Sequence, residues 1–442
     1  MLRILAKLWN IEDLRKRILY TLLLLVVFRV GVYVPTPGID REALAAFFEQ
    51  SRGTLLDVFD MFSGGGLERF SVFALGIMPY ISSSIIFQLL AVVVPSLEKL
   101  QKEGEFGRRK INQYTRYATL VLAFFQGFGI SIGLEHMVSP AGVPIVPGGG
   151  MGFRLLTAVT VATGSMFVMW LGERISERGI GNGTSLIIFA GIVASIPSAV
   201  IRVGKLVTAG ELGIGNLLLV GMIMFVCIVF ILFVERAERR IPIQYGRRMV
   251  GSHVHGAQLS HLPLKVNTAG VIPPIFASSL LMFPATFLQF LPPMQLEGRP
   301  WLESLMLYFA PGAFGYEVAY VILIVFFTYF YTAVQFNPED VADNLRKYGS
   351  FIPGVRPGKE TAEYIDTILT RLTLWGAMYL SVICVLPSLL AREFRVPFRF
   401  GGTGLLIVIG VALDTISQLE SQMLVRSYDT FITGVRIRGR RA

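Results

Sequence analysis

Gly76-Ile77-Met78-Pro79-Tyr80-Ile81-Ser82-Ser83-Ser84 and Gly270-Val271-Ile272-Pro273-Pro274-Ile275-Phe276-Ala277-Ser278 share the pattern G-x-x-P-x-I-x-x-S, and each opens a long apolar stretch. A second pair behaves alike. Gly183-Thr184-Ser185-Leu186-Ile187-Ile188, reaching Gly191, and Gly402-Thr403-Gly404-Leu405-Leu406-Ile407, reaching Gly410, share G-T-x-L-[IL]-I-x-x-G. One such match means little in a chain so rich in apolar residues. Two matches in the same order divide the chain into related halves, and what the halves are depends on the apolar stretches themselves.

The chain has 442 residues, of which 53% are hydrophobic and only 16% charged. Its mean hydropathy is +0.61. A soluble domain carries about a quarter charged residues to face water. Stretches of about 20 apolar residues match a hydrocarbon core about 30 Å thick. The chain is therefore expected to be an all-α polytopic membrane protein, with ten spans at 18–34, 72–94, 117–138, 153–171, 184–201, 215–234, 268–291, 316–336, 368–390 and 403–421. The basic start runs into the first span with no small-residue cleavage site after it. Cys227 and Cys384 both lie inside apolar stretches and read as small core residues.

Charge sets the direction. With both termini on one side, the segments on that side hold 28 Lys and Arg against nine on the other. Basic residues collect in the cytoplasm, so both termini are expected there. The repeat pairs span 2 with 7 and span 5 with 10, which makes two halves of five spans, 1–210 and 211–442. An odd number of spans per half inverts one half relative to the other. The second half carries long basic cytoplasmic loops at 235–267 and 337–367 and a basic C-terminal tail.

Gly- and Pro-interrupted segments at corresponding places in inverted halves point to the functional centre. The aligned positions there are Ile81 with Ile275 and Ile188 with Ile407, with Ile77 one turn before Ile81. A single isoleucine in a span ordinarily faces lipid or core. A repeated set suits an apolar constriction that excludes water and ions by dewetting and offers no ligand to a particular solute. On the outer side, 35–71 contains Leu55-Leu56-Asp57-Val58-Phe59-Asp60-Met61-Phe62 followed by Ser63-Gly64-Gly65-Gly66. That run is too short to span, and the glycines should stop it. A short helix folded back toward the membrane is expected, sheltered within protein or a wet cavity.

Other motifs weigh less. Gly129-Ile130-Ser131-Ile132-Gly133 fits the nucleophile elbow but lies inside span 3 without the strand-turn-helix setting the chemistry needs. His253, His255 and His261 share one loop without a cysteine or acidic ligand at metal spacing, and read as surface residues. Gly179-Ile180-Gly181-Asn182-Gly183 lacks a P-loop lysine and reads as the turn that starts a helix. No catalytic residue, metal or cofactor is expected. Gln88 and Gln126, within spans 2 and 3, are expected to hydrogen-bond across a helix contact, and serines make spans 2 and 7 small and polar along one stripe. Arg29 in span 1 is expected at the interface or paired within the bundle.

The chain resembles the SecY/Sec61-alpha family of protein-conducting channel subunits along nearly its whole length. The resemblance rests on Ala74 to Ile81, Gly104 to Arg109, Asn112-Gln113-Tyr114-Thr115-Arg116, Glu177 to Gly183, His261 to Asn267, Ala269 to Pro273 and Phe351 to Gly358. It implies an hourglass pore between the two halves, closed by a ring at Ile77, Ile81, Thr184, Ile188, Ile275 and Ile407. Thr184 departs from the bulky aliphatic usual there. It implies a plug at about 55–70, which includes Leu55, Leu56, Val58, Phe59, Met61, Phe62, Gly64, Gly65 and Gly66. A lateral gate to lipid would include Ser84, Gln88, Gln126, Ser279 and Phe283. Arg247, Arg248 and Arg356 would dock cytoplasmic partners, either the SecA motor or ribosomal RNA phosphates. SecE and SecG would be membrane partners, signal sequences and unfolded secretory chains the cargo, and the bacterial inner membrane the location. The rival reading is an inverted-repeat secondary transporter of a small solute, which would need convergent polar groups at mid-membrane.

Overall fold

In the computed structural model, residues 11–50, 55–210, 213–245, 248–250, 253–255, 259–289, 313–394 and 402–434 are described. A helix occupies each of the ten expected spans: α1 Glu12–Val32, α4 Met78–Val93, α6 Glu105–His136, α7 Met151–Arg178, α8 Gly183–Thr208, α9 Ile214–Glu235, α10 Ile272–Gln289, α11 Phe314–Gln335, α13 Lys359–Phe394 and α14 Gly402–Gly434. Shorter helices lie between them: α2 Arg41–Gln50, α3 Leu55–Ser63, α5 Pro95–Lys102 and α12 Pro338–Lys347. Among the described residues, seven helices are long and apolar enough to cross a bilayer unaided, and α4 with α5 makes an eighth bent by 99°. The bend falls at Val94, whose extended backbone precedes Pro95. Long apolar side chains remain outward, among them Leu218 at 69% and Phe233 at 73% exposure on α9. Water would penalise such a surface and a lipid interior does not.

The spans differ from expectation at their ends. α6 starts at Glu105 and α13 at Lys359, well before the apolar stretch in each. A helix continues past the hydrocarbon wherever propensity and packing allow. Span 2 is shorter than expected, because residues 72–77 form turns and α4 starts only at Met78.

The long basic loops of the second half hold strands that the hydropathy reading did not give. β1 Glu238–Tyr245 pairs antiparallel with β4 Leu259–Lys265, in register from Glu238 opposite Lys265 to Gln244 opposite Leu259. Two further short strands, β2 Arg248–Val250 and β3 His253–His255, pair inside that hairpin. β5 Ser350–Phe351 pairs with the other edge of β1, giving the order β4-β1-β5. Beneath the sheet Ile241, Leu264, Ile352 and Ile365 form a small buried core.

The chain separates into two compact units. Of the described residues, one unit holds those through Ile201, from Met282 to Gln289 and from Gly410 onward; the other holds those from Arg202 to Leu281 and from 313 to Ile409.

Candidate functional site

The sequence repeat is also a backbone repeat. Gly76 and Gly270 each lie two residues before their helices, and both are left-handed, at φ +54° and +64°. Only glycine adopts that region freely. Ile81 and Ile275 are the fourth residues of α4 and α10. α8 and α14 begin on Gly183 and Gly402, which makes Ile188 and Ile407 their sixth residues. A Cβ on Gly183 would overlap the Gly172 carbonyl oxygen of α7, and a Cβ on Gly402 would overlap the Ile383 carbonyl oxygen of α13. The two halves thus seat α8 and α14 by the same close backbone approach.

Ile77, Ile81, Ile188, Ile275 and Ile407 are all buried, at 1%, 5%, 2%, 6% and 0% exposure. Thr184 is half-buried at the first turn of α8, where Asn182 Oδ1 accepts from its N–H at 3.1 Å. The glycine-rich 179–183 is thus the turn that starts α8, with Asn182 as its cap. In the second unit the Tyr320 hydroxyl of α11 lies 2.6 Å from Thr403 Oγ1, one turn before Ile407. It also donates at 3.5 Å to the carbonyl of Pro274, beside Ile275. Composition gave no sign of Tyr320, because its role depends on three helices meeting.

The segment expected to plug the passage is a short buried helix. α3 ends at Ser63, and Phe59, Met61 and Phe62 are 6%, 5% and 2% exposed. Leu55, Leu56 and Val58 lie on α3, but their side chains fall outside the described residues. The glycines stop the helix in a specific way. Gly64 and Gly65 are left-handed, at φ +73° and +86°. Gly64 N–H donates to Met61 O at 3.2 Å and Gly65 N–H to Asp60 O at 2.9 Å, which is the Schellman closure. The buried Asp60 side chain then accepts from Leu67 N–H at 3.0 Å and Glu68 N–H at 2.8 Å, folding the following turn back on the helix.

This helix end rests against the isoleucine-bearing helices of its own unit. A Cβ on Gly64 would lie 2.9 Å from Gly191 Cα, one turn beyond Ile188. A Cβ on Gly76, next to Ile77, would lie 3.2 Å from Ser63 Cα. From α1, Arg29 Nη1 donates to Gly64 O at 2.8 Å. Arg29 is therefore paired within the bundle, with a partner that span counting could not name.

The polar groups of the spans are arranged differently from expectation. Gln88 donates to Ser84 Oγ on its own helix at 3.2 Å, not across a helix contact. An i,i+4 pair is the nearer option in a lipid-bathed helix. Among the described residues, Gln126 Oε1 and Ser279 Oγ are buried without a hydrogen-bond partner. Phe283 lies on α10, with its side chain outside the described residues. Between α4 and α6, an apolar cleft of about 570 Å³ opens outward, lined by residues that include Ile86, Phe87, Tyr114 and Tyr117. Ser131 is fully buried and donates to Phe128 O at 2.7 Å, so its motif is helix packing.

On the loop between α12 and α13 Arg356 is presented outward, its side chain 88% exposed and 3.9 Å from Glu360. Its turn is rigid. Ile352 is buried beneath the sheet, Gly354 and Gly358 are left-handed, and Thr361 Oγ1 donates to Arg356 O at 2.8 Å. Arg248 begins β2 with its side chain undescribed, and Arg247 lies outside the described residues.

The SecY family model matches residues 71–416. The protein translocase subunit SecY of Escherichia coli K12 is 50% identical over 430 residues, covering 97% of this chain and 96% of its own. That of Aquifex aeolicus is 48% identical over 429 residues, covering 97% and 99%. Among solved structures, a SecY channel described for the plug domain that stabilises its closed state matches with a TM-score of 0.65 at 18% identity, covering 96% of this chain and 94% of its own. Sec61 in a canine ribosome-channel complex matches with a TM-score of 0.60 at 15% identity, covering 96% and 94%.

Proposed function

Since this chain belongs to the SecY family, we propose that it is the central channel subunit of a bacterial Sec protein translocase, conducting unfolded secretory chains and releasing hydrophobic segments sideways into lipid. It is a channel, not an enzyme. Family membership carries this reading, and it sets aside the small-solute transporter.

The pore ring is assigned to Ile77, Ile81, Thr184, Ile188, Ile275 and Ile407. Burial of all five isoleucines, four of them paired in the repeat, supports it. Branched aliphatics around a constriction exclude ions by dewetting, yet yield to any polypeptide because none of them is a specific ligand. Thr184 is the one member of the ring that is not an isoleucine, and it is half-buried. The plug is assigned to residues 55–70, and the glycine contacts beside Ile77 and Ile188 support it. Ser84, Gln88, Gln126, Ser279 and Phe283 are assigned to a lateral gate. The orphaned oxygens of Gln126 and Ser279 support that assignment, because an unpaired buried polar atom weakens a closed contact by roughly 1–3 kcal/mol. A leaving segment would be driven by about 25 cal/mol per Å² of apolar surface transferred to lipid.

Arg247, Arg248 and Arg356 are assigned to docking of the SecA motor or of ribosomal RNA, whose carboxylates or phosphates a guanidinium binds in bidentate fashion. The ribosome-bound Sec61 neighbour supports the second partner. SecE and SecG are the membrane subunits that the family reading adds. The location is the inner membrane with both termini cytoplasmic, and the two halves divide near residue 210.

Single cysteines test the conducting path. Met61→Cys, Ile81→Cys and Ile275→Cys, in a background with Cys227 and Cys384 replaced by Ala, should each cross-link to a cysteine in a secretory precursor stalled midway. Leu23→Cys, at a position 61% exposed on α1, should not. Cross-linking equal at all four positions, or at Leu23→Cys alone, would sink the ring assignment.

Arg356→Glu tests docking. The exposed side chain contributes little to the fold, so the channel should insert and accumulate normally. Reversing a charge that meets a carboxylate or phosphate costs several kcal/mol at an interface. Partner-driven translocation should therefore fall by about a hundredfold or more, since each 1.4 kcal/mol is about tenfold. Transport at the unsubstituted rate would remove Arg356 from the docking surface.

A further inference from the structure

We infer that Arg29 is a positioning residue for the plug, capping the C-terminal end of α3 from a neighbouring helix and so setting how readily a signal opens the channel. The inference rests on the plug assignment above. Its starting point is an arginine inside an apolar span. A guanidinium is costly in hydrocarbon, and such residues are retained where they have a definite partner.

Here the partner is a backbone carbonyl at a helix end. The final carbonyls of any helix have no intrahelical donor, and together they carry the negative end of the helix dipole. The Schellman closure satisfies those of Asp60 and Met61. The carbonyl of Gly64, the first residue past the helix, accepts instead from Arg29 Nη1 at 2.8 Å. The guanidinium thus supplies a charge-assisted hydrogen bond where a cation is favoured, in a setting that water screens poorly. The absence of a side chain on Gly64 leaves room for that approach. A Cβ there would stand 3.1 Å from Arg29 Nη1 and 2.9 Å from Gly191 Cα. Arg29 sits in the last turn of α1, where its charge also complements its own helix. The nearby Tyr33 ring, 5.7 Å from the Arg29 guanidinium carbon and 4.1 Å from that of Arg69, limits the directions in which Arg29 can swing.

Arg29 thus adds to the plug's packing a bond that breaks when the helix end moves, beside glycine contacts that bring the backbones close. Removing the bond should favour the displaced plug without altering the ring. Lysine would restore the charge with a single donor, glutamine a donor without charge.

The test uses the complete translocase in proteoliposomes, with Met61→Cys as a reporter in the background lacking Cys227 and Cys384. The readouts are labelling of the reporter by an impermeant maleimide from the outer side, and import of a precursor with a defective signal. Arg29→Leu should raise both by about tenfold, the scale of a hydrogen bond to a charged group. Arg29→Gln should raise both to a lesser degree, and Arg29→Lys should return both most of the way to the starting value. Unchanged labelling in Arg29→Leu, or in Arg29→Gln should the leucine variant not accumulate, overturns the inference. Failure of both variants to accumulate also overturns it, since Arg29 would then be needed for the fold itself. If the Arg29-intact reporter shows no rise in labelling when a normal precursor is engaged, the plug assignment fails instead, whatever Arg29 does.

Discussion

Channels carrying Ile275→Asn or Ile407→Asn will leak ions at rest and accept precursors with defective signals. Both isoleucines are essentially sealed in the second unit, at 6% and 0% exposure, on helices that start in matching ways. An amide in either place is left without a partner in the closed arrangement, at a cost of about 1–3 kcal/mol. When the plug moves and water enters, the amide is solvated and the cost disappears. The substitution thus weakens only the closed state, and the resting equilibrium should shift toward opening by on the order of tenfold. Single-channel conductance of the resting translocase and import of a signal-defective precursor measure this directly. A tight seal together with unaltered signal selectivity in both variants would show that these residues do not form the constriction. Apolar replacement, such as Ile407→Leu, should keep both properties, which separates loss of the seal from loss of shape.

The largest effect on stability is expected from Gly183→Ala and Gly402→Ala. Each Cβ would overlap a carbonyl oxygen of the adjacent helix, Gly172 or Ile383, and a backbone cannot rotate aside as a side chain can. The helices must separate, which costs about 1–3 kcal/mol or somewhat more for an overpacked contact. Quality control turns such losses into several-fold falls in abundance. Both variants should therefore accumulate poorly, and what accumulates should lose solubility in detergent at lower temperature. Gly129→Ala is the control. It lies in α6 with nothing within 4 Å of its Cβ, and alanine favours a helix over glycine. If Gly402→Ala accumulates like Gly129→Ala, the close approach does not hold α14 in place.

How much of this was legible beforehand differs from one residue to the next. The spans could be read because burial in lipid requires about 20 apolar residues in a row, a local property. The short helix α3 could be read because its end is written in consecutive glycines, and the structure ends it at Ser63, directly before Gly64. The isoleucine pairs could be read because the chain states them twice. By contrast, β5 has only two residues and pairs with a strand about a hundred positions earlier, so no local window contains the signal. Gln88 was misread for a related reason. Its amide had the choice of a neighbouring helix or of Ser84 one turn away, and only the packed structure selects Ser84.

The amino-acid sequence by itself determined the membrane-spanning class, the ten spans and the two inverted halves. Hydropathy, charge bias and repetition are all sums over neighbouring residues. Only the tertiary structure decided which carbonyl each glycine approaches, that Arg29 donates to the carbonyl of Gly64, and that Tyr320 joins two helix starts. Those contacts depend on side-chain reach and backbone separation between distant segments. The free energy of such a contact exists only once both partners have been brought within bonding distance.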